Sequence, residues 1–153
     1  MKIRVKRNDV FLKLAEDIGK KYEAYYVIGN HEQNLDESKQ EYIFCKLEDT
    51  EIKVLDNEKA EITRGAEQIN LYGMWFNLKY YKDMSDPYTK DIYFGSAAMQ
   101  KVMGDCDTSK YSILFTHNPL YFDTYAGWGS DLTLTGHIHG GMIRIPFKGG
   151  LLS

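Results

Sequence analysis

The chain has 153 residues, 43% of them hydrophobic and 27% charged, a balance that excludes disordered and fibrous classes and suits a single domain over residues 1–153. With 19 basic against 22 acidic side chains the formal charge is −3, which excludes a dominant electrostatic footprint for nucleic acid. No apolar run approaches the roughly 18 residues of a membrane span, and the basic start (Lys2, Arg4, Lys6, Arg7) lacks the apolar stretch of a secretory signal.

Val10, Phe11, Leu14, Ala15 and Ile18 recur at helical spacing, so a helix is expected over 8–19 with Gly19 as its left-handed stop. Tyr25-Tyr26-Val27-Ile28 reads as a short buried strand cut off by Gly29. Ser38 with Glu41 predicts a capping box for a helix over 36–47, its apolar side formed by Tyr42, Ile43 and Leu47. Strands are expected over 52–55, 60–63 and 69–76, and Asp56-Asn57 predicts an antiparallel hairpin between the first two. The polar stretch 79–90, with Pro87 after Asp86, reads as a surface loop. A helix follows over 96–103 and stops at Gly104. Residues 112–115 and 132–134 have buried-strand character, and 142–145 form the last strand before Pro146. Together these elements predict a layered mixed α/β fold with helices covering sheet faces. Cys45 and Cys106 have no CxxC partner and read as reduced, packed thiols rather than a disulfide.

The four histidines carry the chemical information. His31 follows Ile28-Gly29-Asn30, His117 follows Leu114-Phe115-Thr116, and His137 follows Leu134-Thr135-Gly136, with His139 two residues on. Three predicted strands thus deliver a histidine just past their carboxyl ends, the edge at which open α/β sheets bind ligands. Asn30, His117, His137 and His139 offer one carboxamide oxygen and three imidazoles. Imidazole suits zinc and iron, and the oxygen keeps manganese in play. In extended chain His137 and His139 point the same way, roughly 6.5–7 Å apart, a spacing that can serve two ions about 3.5–4 Å apart. Gly29, Gly136, Gly140 and Gly141 permit close approach of a ligand. A single strand-end histidine or Gly-Asn pair is ordinarily structural. The shared placement of all four histidines, and the run Gly-His-Ile-His-Gly, favour metal binding.

Gly29-Asn30-His31-Glu32, Thr116-His117-Asn118-Pro119 and Gly136-His137-Ile138-His139 resemble, in order and approximate spacing, the last three metal motifs of the calcineurin-like metallophosphoesterases. A bacterial branch of that family is similar from Asp131 through Gly141 and again over Ile143-Arg144-Ile145-Pro146-Phe147. The resemblance implies a layered αββα sandwich of mixed sheets, two divalent ions (manganese, iron or zinc) and hydrolysis of phosphomono- or diesters by a metal-activated hydroxide. It implies Asn30, His117 and His137 as ligands of one metal, His139 as a partial ligand of the other, and His31 as the catalytic residue. In that role His31 lies beside the scissile phosphate, stabilising its charge or protonating the leaving oxygen. Glu32 receives no catalytic role.

The family's first two motifs, Asp-x-His and Gly-Asp, do not occur upstream of Asn30, and the sole Gly-Asp, Gly104-Asp105, falls at a helix end. The resemblance therefore implies the C-terminal part of a longer family domain, lacking the first βα units and exposing an apolar sheet edge. It implies at most one well-held ion and impaired activity; a decayed fragment with a single metal site, or a non-catalytic interaction scaffold, is the alternative. The expected partner is a phosphate ester (nucleotide, lipid-linked or protein-borne), with no nucleic acid and no membrane span in this chain. The expected location is cytoplasmic, with membrane association only through an N-terminal segment outside these residues.

Overall fold

The structure, a computed structural model, describes residues 7–81, 92–138, 143–145 and 149–152. Its helices are α1 (Arg7–Gly19), α2 (Asn30–Gln33), α3 (Glu37–Glu48), α4 (Ser96–Met103) and α5 (Phe122–Trp128). Its strands are β1 (Ala24–Tyr26), β2 (Ile52–Val54), β3 (Glu58–Arg64), β4 (Glu67–Met74), β5 (Tyr111–Thr116), β6 (Leu132–Thr135), β7 (Ile143–Ile145) and β8 (Gly149–Leu152). The expected mixed α/β architecture is present. A four-stranded sheet runs β3-β4-β5-β6, and two-stranded pairs β1-β2 and β7-β8 stand apart from it.

Two hydrophobic clusters organise these layers. In the first, Ala15 of α1 meets Ile43 and Leu47 of α3, and Tyr26, Ile52 and Val54 of the parallel β1-β2 pair pack against them. The apolar stripe of α1 divides here: Phe11, Leu12 and Ala15 face inward, whereas Val10 is 61% and Leu14 55% exposed. In the second, α4 and α5 cover one face of the large sheet, burying Tyr72, Met74 and Leu114 against Met99 and Tyr125. Leu55 and Leu71 are buried on the opposite face, where Leu55 packs so tightly on Gly73 that no side chain fits there.

Several sequence expectations are corrected. The hairpin joins β3 to β4 through Gly65, whose φ of +62° suits glycine, while β2 pairs with β1 in parallel. Asp56-Asn57 is thus a link between sheets rather than a hairpin turn. Gly19 is not left-handed; its Cβ would come within 3.2 Å of the Glu51 backbone, so close approach explains the glycine. The α3 cap is Asp36, whose carboxylate accepts from the Lys39 backbone at 3.1 Å, in place of the Ser38–Glu41 box. Helix α5 has no counterpart in the sequence reading, because Pro119 and two glycines disguise its period. Strand β6 is not buried: Leu132 is 40% and Leu134 45% exposed. Cys45, expected to be packed, is exposed.

What matters for function is direction. Strands β4, β5 and β6 are mutually parallel, with Met74 opposite Thr116 and Thr116 opposite Thr135. Their carboxyl ends thus deliver Trp75, His117 and Gly136 to one rim of the sheet. The chain leaving β1 reaches the same rim through Ile28 and Gly29 and enters α2 at Asn30.

Candidate metal centre

At the rim, Asn30 and His117 meet. His117 Nε2 lies 2.9 Å from Asn30 Oδ1, across 87 positions of sequence. The His137 ring stands beside that of His117, centroids 5.4 Å apart at 73°. His137 adopts φ +66°, a left-handed conformation uncommon outside glycine that histidine, like asparagine and aspartate, takes up more readily than other residues. Its backbone is held there by short-range bonds: Gly136 N donates to His117 O at 3.3 Å and Ile138 N to Gly136 O at 2.8 Å. Backbone strain of this kind is characteristic of functional sites.

Two glycines make room for the His117 ring. A Cβ at Gly136 would stand 2.9 Å from His117 Nδ1, and one at Gly29 3.1 Å from its Cγ and Cδ2. Glu32, given no catalytic part from sequence, closes the first turn of α2: its Oε2 accepts from Gly29 N at 2.9 Å. That bond fixes Asn30 one residue on. The same carboxylate raises the pKa of the neighbouring Tyr26 phenol, although burial is the larger cause.

The sequence reading missed two residues of this neighbourhood. Tyr81 packs its ring edge-on against His137 at 5.2 Å and tilted against His117 at 6.2 Å. Burial first, and the Glu32 carboxylate second, push its phenol up to about 12. No signal in the polar stretch around it distinguishes this tyrosine. Asn118 fastens the segment that carries Tyr81: its Nδ2 donates to Tyr80 O at 3.1 Å and its Oδ1 accepts from Leu120 N at 2.9 Å. Asn118 is fully buried, and its place between His117 and Pro119 in the motif could have marked it.

His31 is exposed on α2, adjacent in chain to Asn30, and its side chain has no hydrogen-bond or ring partner among the described residues. His139 lies outside the described residues. Gly104 ends α4 at φ +69°, and Asp105 accepts from Gln100 Nε2 at 2.6 Å, so this Gly-Asp pair is a helix terminus.

The donor set suits one divalent cation. Two ligands bound to a common ion at about 2.1 Å stand about 3 Å apart, the separation already present between Asn30 Oδ1 and His117 Nε2. No group of three His, Cys, Asp or Glu able to hold a metal exists among the described residues, so a centre here needs the Asn30 carboxamide as a ligand.

The carboxyl rim of this α/β protein thus gathers a carboxamide and two imidazoles. The chain is 31% identical over 137 residues to an uncharacterized metallophosphoesterase of Campylobacter jejuni, a match covering 90% of this chain and 32% of that protein. The chain is thus similar to a metallophosphoesterase and spans about a third of the length of that curated relative. No family model matches it, and no solved structure does. Among the described residues, no helix is long and apolar enough to cross a membrane.

Proposed function

We propose that this chain carries the histidine half of a divalent-metal phosphoesterase centre. Asn30, His117 and His137 hold one ion, His139 contributes to a second, and His31 is the catalytic residue at the scissile phosphate. The observation that supports this reading is the 2.9 Å approach of Asn30 Oδ1 to His117 Nε2 with the His137 ring alongside. When bound, manganese, iron or zinc lowers the pKa of water and neutralises phosphate charge. The chain's own residues do the rest. His117 and His137 present neutral imidazole lone pairs, Glu32 and Gly29 keep Asn30 in place, and Tyr81 shields the imidazole pair from solvent. The exposed imidazole of His31 stabilises the phosphate oxygens or gives its proton to the departing oxygen.

The 153 residues contain no Asp-x-His, so this stretch of chain on its own offers the second position few ligands, and its turnover in isolation is expected far below that of a relative with every motif. The two free thiols, Cys45 and Cys106, support a reducing, cytoplasmic location. Metal analysis after equilibration with manganese, paired with hydrolysis of bis-p-nitrophenyl phosphate, tests the proposal. About one ion per chain, lost in His137→Ala together with a slow manganese-dependent hydrolysis, is the expected result. A wild-type protein that retains no ion would favour the non-catalytic scaffold.

A further inference from the structure

A recess opens just past the carboxyl end of β4, lined by aromatic, amide and lysine side chains. Trp75, Tyr80 and Phe94 line this cleft of about 400 Å³, joined by Lys79 and Lys101. Trp75 is fixed on two sides: its indole Nε1 donates to Asp56, and its backbone N donates to Asn57 Oδ1 at 2.8 Å. Asn57 and Asn77 also line the cleft. Each spends its side-chain oxygen on a backbone N–H, that of Trp75 at 2.8 Å and that of Lys79 at 3.0 Å. Each therefore retains its NH₂ group as a donor of fixed assignment. The Lys79 ammonium sits 4.9 Å from the centre of the Tyr80 ring. Among the described residues, neither Lys79 nor Lys101 pairs with a carboxylate.

Aromatic faces, amide donors and two ammonium groups in one cleft match a planar heteroaromatic ring bearing an anion. An aliphatic chain would use the aromatic surface but leave the amides and cations idle. Position adds the connection to chemistry. Trp75 follows Met74, His117 follows Thr116 and Gly136 follows Thr135, and these three predecessors are in register on neighbouring strands. With strands about 4.8 Å apart, the Trp75 backbone stands about 5 Å from that of His117 and about 10 Å from that of Gly136 along the rim.

We propose that this cleft is the base-recognition subsite of a nucleotide phosphoester. The base stacks on Trp75 and Tyr80, the Asn57 and Asn77 amides donate to its edge, and Lys79 and Lys101 meet phosphate oxygens. The proposal rests on the phosphoesterase reading for its link to catalysis, and on the cleft alone for binding.

The chain has two tryptophans, Trp75 and Trp128, so Trp128→Phe leaves Trp75 as the single indole reporter. Adenosine monophosphate titrated into Trp128→Phe should quench its fluorescence saturably, while inorganic phosphate and octyl phosphate should not. Lys101→Glu, at an exposed position, should weaken the adenosine monophosphate Kd by about tenfold with an unchanged circular dichroism spectrum. Should Trp128→Phe fail to fold, the difference between wild type and Trp75→Phe gives the same signal. Absence of quenching, equal affinity in Lys101→Glu, or equal competition by octyl phosphate overturns the proposal. His137→Ala separates the two readings. Metal loss with quenching retained is expected; metal binding without quenching removes the subsite alone, and quenching in a wild type that binds no metal removes the phosphoesterase reading alone.

Discussion

Replacing Gly136 by alanine probes the metal centre without removing a ligand. The new Cβ would lie 2.9 Å from His117 Nδ1 and 3.2 Å from its Cε1, where ordinary contacts begin at 3.4 Å. The imidazole must therefore retreat by about half an ångström, and its 2.9 Å approach to Asn30 Oδ1 opens correspondingly. Disturbing the support of a metal ligand typically costs 10- to 100-fold in affinity, so we expect the Kd for manganese to rise about tenfold, or about 1.4 kcal/mol. The fold should hardly notice. Gly136 is exposed and not left-handed, and a surface change of this kind stays within about 0.5 kcal/mol. Isothermal titration of metal-free protein measures the effect. Gly127→Ala is the control, since a Cβ there meets nothing within 4 Å. If wild type and Gly136→Ala bind manganese equally while both remain folded, His117 is not a ligand in the way argued.

Two further outcomes concern the scaffold. A Cβ at Gly73 would fall 2.1 Å from the Leu55 Cβ, an atom that no rotamer change can move, so β4 itself must shift. Gly73→Ala should cost about 3 kcal/mol in urea unfolding, the upper end of overpacking penalties, and an unshifted midpoint would contradict the packing described. The Asp36 carboxyl is held down to about 2 by hydrogen bonds, first from Lys39 and then from Ser38. A depressed carboxyl stabilises the fold fully above its unfolded value of about 3.9 and loses that contribution as pH falls through about 2. Asp36→Asn should accordingly flatten the acid limb of the melting temperature between those two values; parallel limbs for both proteins would refute it.

The ends of strands were the most legible part of the chain. The apolar blocks before His117 and His137 end with β5 at Thr116 and β6 at Thr135, whereas the block before Asn30 overruns β1, which stops at Tyr26. Pairing was less legible. Asp56-Asn57 has hairpin chemistry, yet β2 pairs with β1 because Ile52 and Val54 are needed by the α1–α3 cluster, a demand that local sequence does not state. Tyr81 escaped notice for a related reason. Its contact with His137 depends on Asn118 and Tyr121 both binding the Tyr80 carbonyl, a tertiary arrangement spread over 41 positions. Asn118 stands out within its motif, but the partners it anchors, the Tyr80 carbonyl and the Leu120 amide, follow from the fold.

The two hydrophobic clusters share no residue: one centres on Leu47, the other on Leu114 and Tyr125. Asn30 enters from the side of the first and His117 from the second, so the contact between them crosses a seam in the molecule. A cation captured at that seam would act as a rivet. At a free concentration a hundred times its Kd it would add about 2.7 kcal/mol to the cohesion of the folded chain. Chelation would then remove that increment from the stability of the folded chain, making architecture and chemistry answer to the same ion.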